Sequence, residues 1–252
     1  MMNQIQKAKD FAALHLKSAP LVLDNIWDAG SAKAVADAGA KAIATGSWAV
    51  AASQGYGDGQ ALPLASVLRT ARQIVDAVGV PVSVDFEGGY AVSPLEVAEN
   101  LRRLLDTGAI GINFEDQIIG GSGLYSAEDQ AARITALRKV ADQSGVALFI
   151  NARTDVFFQK GAAPHTNLIK DAIARSEIFK DAGANGIFVP GLTDADLIAE
   201  FCAAQSLPVN VMRIGKTLDI GTLTTCGVSR ISHGPGPYIA AMERLATSVQ
   251  ES

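Results

Sequence analysis

Short apolar runs with no polar alternation recur along the chain at 21–23, 42–45, 82–85, 111–115, 147–151, 186–189, 209–212 and 229–232. A strand buried on both faces reads this way, because neither face meets water. Between the runs lie stretches whose apolar positions fall three or four apart. Val97, Leu101, Leu104 and Leu105 do so within 94–106, as do Ile134, Leu137 and Val140 within 127–142. That spacing follows the turn of an α-helix and predicts amphipathic helices. Ser93 before Pro94 with Glu96 three residues on, and Ser126 before Glu128 and Asp129, mark two helix starts. The joins repeat as well: Asp37-Ala-Gly-Ala-Lys-Ala-Ile43, Asp106-Thr-Gly-Ala-Ile-Gly-Ile112 and Asp181-Ala-Gly-Ala-Asn-Gly-Ile187 are one phrase written three times. In each, glycine supplies the left-handed residue after a helix and an apolar run follows. The stretch 217–227 is too short and too rich in threonine to be assigned as a helix.

Eight such runs alternating with helices over 252 residues predict one domain, 1–252, folded as a closed parallel (β/α)8 TIM barrel. A leading N-terminal helix and a C-terminal helix over 237–249 flank it. An open doubly wound sheet is the alternative architecture. Its nucleotide signatures are missing, since no GxGxxG follows the first run and no GxxxxGK[ST] occurs. On the last helix Ile239, Met242, Leu245 and Ala246 form an apolar stripe that has to be covered, which predicts a homo-oligomer.

Charge narrows the partners. Twenty-one Lys plus Arg against 26 Asp plus Glu leave a net charge of −5, with no basic footprint for nucleic acid or anionic lipid. The charged fraction of 19% lies below the usual value of roughly 25%, in keeping with a self-associating protein. Lys7, Lys9 and Asp10 stand where a secretory leader would carry its apolar core, and no apolar run approaches the roughly 20 residues of a membrane span. The expectation is a soluble cytoplasmic protein. Cys202 and Cys226, far apart and without neighbouring histidines, are expected as buried small hydrophobes.

A parallel barrel does its chemistry at the carboxyl ends of its strands. There the sequence reads Ser83-Val-Asp85-Phe-Glu87, Asn113-Phe-Glu115-Asp116 and Asn151-Ala-Arg153-Thr-Asp155, with Asp58 in the loop after the second run. Carboxylates gathered from several strand ends repel one another unless a cation sits among them, and an all-oxygen set suits Mg2+ or Mn2+. Asp116 and Asp155 stay open between that cluster and ordinary helix capping or pairing with arginine. His233 follows the last run and is a candidate acid, base or donor to a carboxylate. The Gly-Pro-Gly-Pro run after it suits a rigid turn. His15 and His165 read as peripheral.

Five ordered segments carry a resemblance across nearly the whole chain: Asn25-Ile-Trp-Asp-Ala-Gly-Ser-Ala32, Ala44-Thr-Gly-Ser-Trp-Ala-Val-Ala51 with Gly55-Tyr-Gly-Asp58, Val84-Asp-Phe-Glu-Gly-Gly-Tyr90, Gly111-Ile-Asn-Phe-Glu-Asp116 and Ile150-Asn-Ala-Arg-Thr-Asp155. Together they resemble the isocitrate lyase and phosphoenolpyruvate mutase superfamily. The resemblance implies an α/β barrel, tetrameric or dimeric, with the last helix exchanged between subunits, binding Mg2+ and a small carboxylic acid. By the same resemblance Asp85 is the direct metal ligand, and Asp58, Glu87 and Glu115 hold the ion largely through its waters. Arg153 and Asp58 bind substrate, and Thr45, Gly46, Ser47 and Trp48 form the turn that grips its carboxylate. Arg153, Glu115 and His233 are the catalytic candidates. The implied reaction is lyase or decarboxylase cleavage of a carbon–carbon bond in a 2-oxo or 2-hydroxy acid through a metal-stabilised enolate. Carbon–phosphorus chemistry and a non-catalytic acid-binding barrel are the alternatives. One segment departs from the superfamily: Gln117-Ile-Ile-Gly-Gly-Ser-Gly-Leu-Tyr125 carries no Cys, Lys or His where the isocitrate and methylisocitrate lyases have a proton-donating thiol. Its glycines suit a lid.

Overall fold

A computed structural model describes residues 3–159, 164–215 and 218–250. Among them nine strands lie parallel in one sheet: β1 (Leu21–Leu23), β2 (Asn25–Ile26), β3 (Ile43–Thr45), β4 (Val82–Asp85), β5 (Gly111–Glu115), β6 (Phe149–Arg153), β7 (Gly186–Phe188), β8 (Val209–Met212) and β9 (Arg230–Ser232). Only Asp24 separates β1 from β2. Because β1 pairs with β9 and β2 with β3, the two pieces are one broken strand that closes a ring of eight. The architecture is a (β/α)8 TIM barrel.

The helices are α1 (Gln4–Ala13), α2 (Ala29–Asp37), α3 (Ser47–Ser53), α4 (Leu64–Ala77), α5 (Pro94–Leu105), α6 (Ala127–Ser144), α7 (His165–Asp181), α8 (Ala195–Ala204), α9 (Ile220–Thr225) and α10 (Gly236–Gln250), with a 3-10 turn at Val156–Phe158. On α5, Val97, Leu101, Leu104 and Leu105 are buried, as their spacing requires. At the head of α6 the Ser126 side chain accepts from the Asp129 N–H at 3.0 Å. Ser93 occupies the cap position of α5 but makes no side-chain cap bond, so only one of the two serine caps forms as expected. At the amino end of the barrel α1 acts as a plug. Its Phe11 is fully buried, edge-on to Phe149 at 5.4 Å.

Three expectations shift. Strand β6 begins two residues later than the fifth apolar run, 147–151, because the Leu148 N–H turns back onto the Val146 carbonyl at 2.7 Å and delays pairing until Phe149. The stretch at 217–227 does contain a helix, α9, started by Asp219, whose side chain accepts from the Thr222 N–H; position 217 lies outside the described residues. Cys202 is buried as expected, and burial pushes its thiol up to about 12, whereas Cys226 is only partly buried. Among the described residues no helix is long and apolar enough to cross a membrane.

Candidate active site

Strand register sets the depth of each polar side chain. Asp85, Asn113 and Asn151 are aligned across β4, β5 and β6, and Glu115, Arg153 and Phe188 form the layer above them across β5, β6 and β7. Since side chains two apart share a face of a strand, Asn113 with Glu115, and Asn151 with Arg153, face the same way. Above them opens a cavity of about 240 Å3 whose lining includes Asp58, Asp85, Asn113 and Arg153, the turn from Gly46 to Ala49, and the apolar side chains of Phe158, Phe188 and Met212.

Arg153 is fixed by its neighbours. Its Nε and one terminal nitrogen donate to the two oxygens of Asp155 at 2.7 and 3.0 Å, and its other terminal nitrogen lies 2.9 Å from Glu115. A bidentate carboxylate partner holds the planar guanidinium in one orientation. Burial opposes its charge, but Glu115, Asp155 and Asp85 outweigh burial and raise its pKa. Glu115 is itself buried, which raises its carboxyl well above the usual range although Arg153 pulls the other way.

Asp85 is held through one oxygen. Its Oδ2 accepts from the Ser47 N–H at 3.0 Å, and its own N–H donates to Thr45 Oγ1 at 2.8 Å. Its Oδ1 is buried with no hydrogen-bond partner among the described residues. Gly46 and Ser47 thus stand beside Asp85, with Trp48 next to them over the cavity, edge-on to Tyr238 of α10 at 5.8 Å.

Glu87 sits in a turn with unusual backbone angles: Glu87, Gly89 and Tyr90 have φ of 49°, 79° and 58°. Non-glycine residues in that region are strained and cluster at functional sites. The Glu87 carboxylate accepts from the Gln60 N–H at 2.7 Å and from the Tyr90 hydroxyl at 2.6 Å. With its amide oxygen turned toward them, Gln60 also accepts from the Gly88 and Tyr90 N–H groups at 3.0 Å, tying the loop after α3 to the turn after β4. Burial, and next the charge of Asp85 against the pull of Tyr90, push Glu87 up to about 7. Asp58 is more exposed, yet loss of water around it and the charge of Asp85 raise its pKa too.

The remaining predicted residues divide. Asp116 is fully buried away from the cavity, accepting from Thr154 Oγ1 at 2.7 Å and the Asp155 N–H at 2.9 Å, with Arg175 at 3.4 Å. It ties two strand ends together, and Asp155 holds Arg153; both acids pair with an arginine, one of the two assignments left open by the sequence. His233 does not itself line the cavity, although Ser232 and Gly234 do. Its Nδ1 meets Asp24 Oδ1 at 2.6 Å, across the break between β1 and β2, and its Nε2 is buried without a partner among the described residues. His15 stacks on Phe149 at 4.1 Å near the opposite end, and His165 packs against Phe157.

Asn25, Asn113, Asn151 and Arg230 were not singled out by sequence reasoning. Arg230, on β9, is fully buried, and its guanidinium lies against Phe11 on one side and reaches Asn113 on the other. For Asn113 and Asn151 the available signal was a polar residue within an apolar run, two positions before a recognised one; Asn25 and Arg230 had no such signal.

The segment from Gln117 to Leu124 folds back on itself, with Gln117 bridged to Leu124 and the Ile118 N–H donating to the Gly123 carbonyl at 3.1 Å. Its Ile119 packs toward Gly59 and Gly88. Among the described residues no three His, Cys, Asp or Glu converge closely enough to hold a metal ion as they stand.

The family described as phosphoenolpyruvate phosphomutase matches residues 11–252. A structure from Burkholderia cenocepacia J2315, provisionally described as a phosphonomutase, is 46% identical with a TM-score of 0.95, covering 99% of each chain. An uncharacterized Mycobacterium tuberculosis protein is 34% identical over 94% of this chain and 86% of its own. A 2-methylisocitrate lyase from Halalkalibacterium halodurans is 30% identical over 91% of this chain and 76% of its own.

Proposed function

Since the chain belongs to the phosphoenolpyruvate phosphomutase family, we propose that it is a Mg2+- or Mn2+-dependent lyase or decarboxylase. Its substrate is a small 2-oxo or 2-hydroxy carboxylic acid, cleaved at a carbon–carbon bond. The observation that carries this reading is Arg153, locked by Asp155 and Glu115 at the wall of the same cavity that Asp85 enters with a buried, unpartnered oxygen.

The residues present fit a hard divalent cation. Asp85 Oδ1 would supply one direct oxygen, while both oxygens of Glu87 and one of Glu115 are already engaged. A set in which Asp85 alone offers a buried oxygen without a partner among the described residues matches Mg2+, which keeps most of its waters and would let Asp58, Glu87 and Glu115 act through them. When bound, the ion would supply positive charge beside the oxygen on which negative charge collects.

The chain's own groups do the rest. The turn at Ser47 and Trp48 receives the substrate carboxylate. Arg153 donates to the oxo oxygen, and as the bond to carbon three breaks, its electron pair moves to that oxygen and gives an enolate. A fixed guanidinium favours this developing charge by several kcal/mol, roughly the worth of one preorganised donor. Decarboxylation or a retro-aldol step on a 2-oxo acid suits this site better than the thiol-dependent lyase reaction, because Gln117-Ile-Ile-Gly-Gly-Ser-Gly-Leu-Tyr125 offers no Cys, Lys or His. Water or His233 protonates the product, and water is the better placed of the two, because His233 does not line the cavity and its Nδ1 is paired with Asp24. The same reading makes the protein a homo-oligomer joined through α10.

Carbon–phosphorus cleavage or transfer on a phosphonopyruvate-like acid is the second reading, favoured by the similarity to the Burkholderia cenocepacia protein. Oxaloacetate, substituted malates, 2-methylisocitrate and phosphonopyruvate assayed with Mg2+ separate the readings. Release of a 2-oxo acid from oxaloacetate or a malate, abolished in Asp85→Ala together with Mg2+ binding, is the expected result. Turnover of phosphonopyruvate alone selects the second reading, and turnover of none selects a barrel that binds acids without converting them.

A further inference from the structure

The floor of the cavity holds a donor whose direction is fixed from below. Asn113 lies in register between Asp85 and Asn151, one layer beneath Glu115 and Arg153. Its Oδ1 accepts from Asn151 Nδ2 at 2.8 Å and from an Arg230 terminal nitrogen at 3.3 Å. A guanidinium can only donate, so the oxygen of the amide must face Arg230 and the NH2 group must face away. Asn113 lines the cavity, and its Nδ2 makes no hydrogen bond among the described residues.

The support beneath it is built in. Arg230 is fully buried, and its Nε and NH1 find no acceptor among the described residues. A guanidinium taken from water for so few hydrogen bonds is costly. Asn151 has room because position 186 is glycine; a Cβ there would lie 2.9 Å from Asn151 Oδ1. Two side chains from β6 and β9 thus converge on one amide oxygen and leave one donor for the cavity.

We propose that Asn113 binds the substrate directly, its Nδ2 donating to the deepest oxygen of the acid, and that Arg230 and Asn151 are the residues that position it. The proposal rests on the reading of this cavity as the site of a small carboxylic acid. It adds a selection rule: the substrate carries an acceptor, a carboxylate or oxo oxygen, at its inner end. An acid ending there in a methyl group would leave a buried N–H unpaired and be rejected.

Oxalate, a planar dianion shaped like the enolate of a 2-oxo acid, is the probe, titrated by calorimetry with Mg2+ present. Asn113→Ala should weaken oxalate binding about 10- to 100-fold, the range for losing one hydrogen bond to a charged group. Asn113→Asp, which keeps the shape but aims a carboxylate at the ligand, should weaken it further. Asn151→Ala should cost several-fold alone and nothing more in the Asn113→Ala background, as expected for a residue that acts through Asn113. Thermal melting is read on each variant, and Asn113→Ala carries the test if the introduced carboxylate prevents folding. Wild-type affinity in folded Asn113→Ala, or no oxalate binding by the unaltered protein, overturns the proposal. A wild type that binds oxalate but turns over none of the acids loses the lyase reading alone. Turnover with unchanged oxalate affinity in the variants loses only the role of Asn113.

Discussion

Glu87 shows how a single residue can link the site to stability. Its carboxyl is pushed up to about 7 by burial, from an ordinary value near 4.3. Below about pH 4 the group is neutral in both the folded and unfolded chain. Above about 7 it is ionised in both, and the folded chain then carries the cost of the buried charge. Its contribution to stability is therefore greatest in acid and falls as pH rises from about 4 to about 7. Chelator-treated protein should show this decline in melting temperature across that window, and Glu87→Gln should flatten it. An unchanged slope in the variant would show that the decline belongs to other groups.

At the scale of the element, the turn after β4 joins an unusual backbone to the site. Gly89 has φ of 79°, and a Cβ built on it would lie 2.9 Å from Val97 Cγ1 and 3.0 Å from Phe114. Gly89→Ala should cost about 2–5 kcal/mol, the sum of a left-handed alanine and an overfilled contact. It should also shift Glu87 away from Gln60. Chemical denaturation reads the first effect, and a loss of less than about 0.5 kcal/mol, the range of a neutral surface change, would show that the turn relaxes freely. The folded-back segment after β5 illustrates a further point about elements. Its glycines permit the reversal, but Ile119, packing toward Gly59 and Gly88, sets where it lies.

For the whole molecule the exposed face of α10 sets the expectation of assembly. No residue of that helix is buried, and Ile239, Met242 and Leu245 are 40%, 38% and 60% exposed. The same helix carries Tyr238, which packs against Trp27 and Trp48 beside the cavity. Assembly through α10 would therefore brace a wall of the site as well as hide an apolar stripe. Leu245→Glu should yield monomers in sedimentation velocity with the barrel intact by circular dichroism. A variant of unchanged mass would place the contact elsewhere.

The order and type of the elements were legible in the sequence, because doubly buried strands and amphipathic helices leave local periodic signatures. So was the gathering of Asp85, Glu87, Glu115 and Arg153 at one end of the barrel, since charged residues at the ends of apolar runs are costly to bury singly. Pairwise arrangement was not legible. That β1 and β2 close the ring around Asp24, that Asp155 grips Arg153 while Asp116 lies beneath, and that His233 turns to Asp24 all depend on strands brought together from distant parts of the chain. Asn113 and Arg230 are the clearest case: 117 positions apart, they acquire a shared direction only when the barrel closes. Periodicity reports which face of its own element a residue occupies, whereas the partner across the barrel is fixed by register and curvature, which no local pattern encodes.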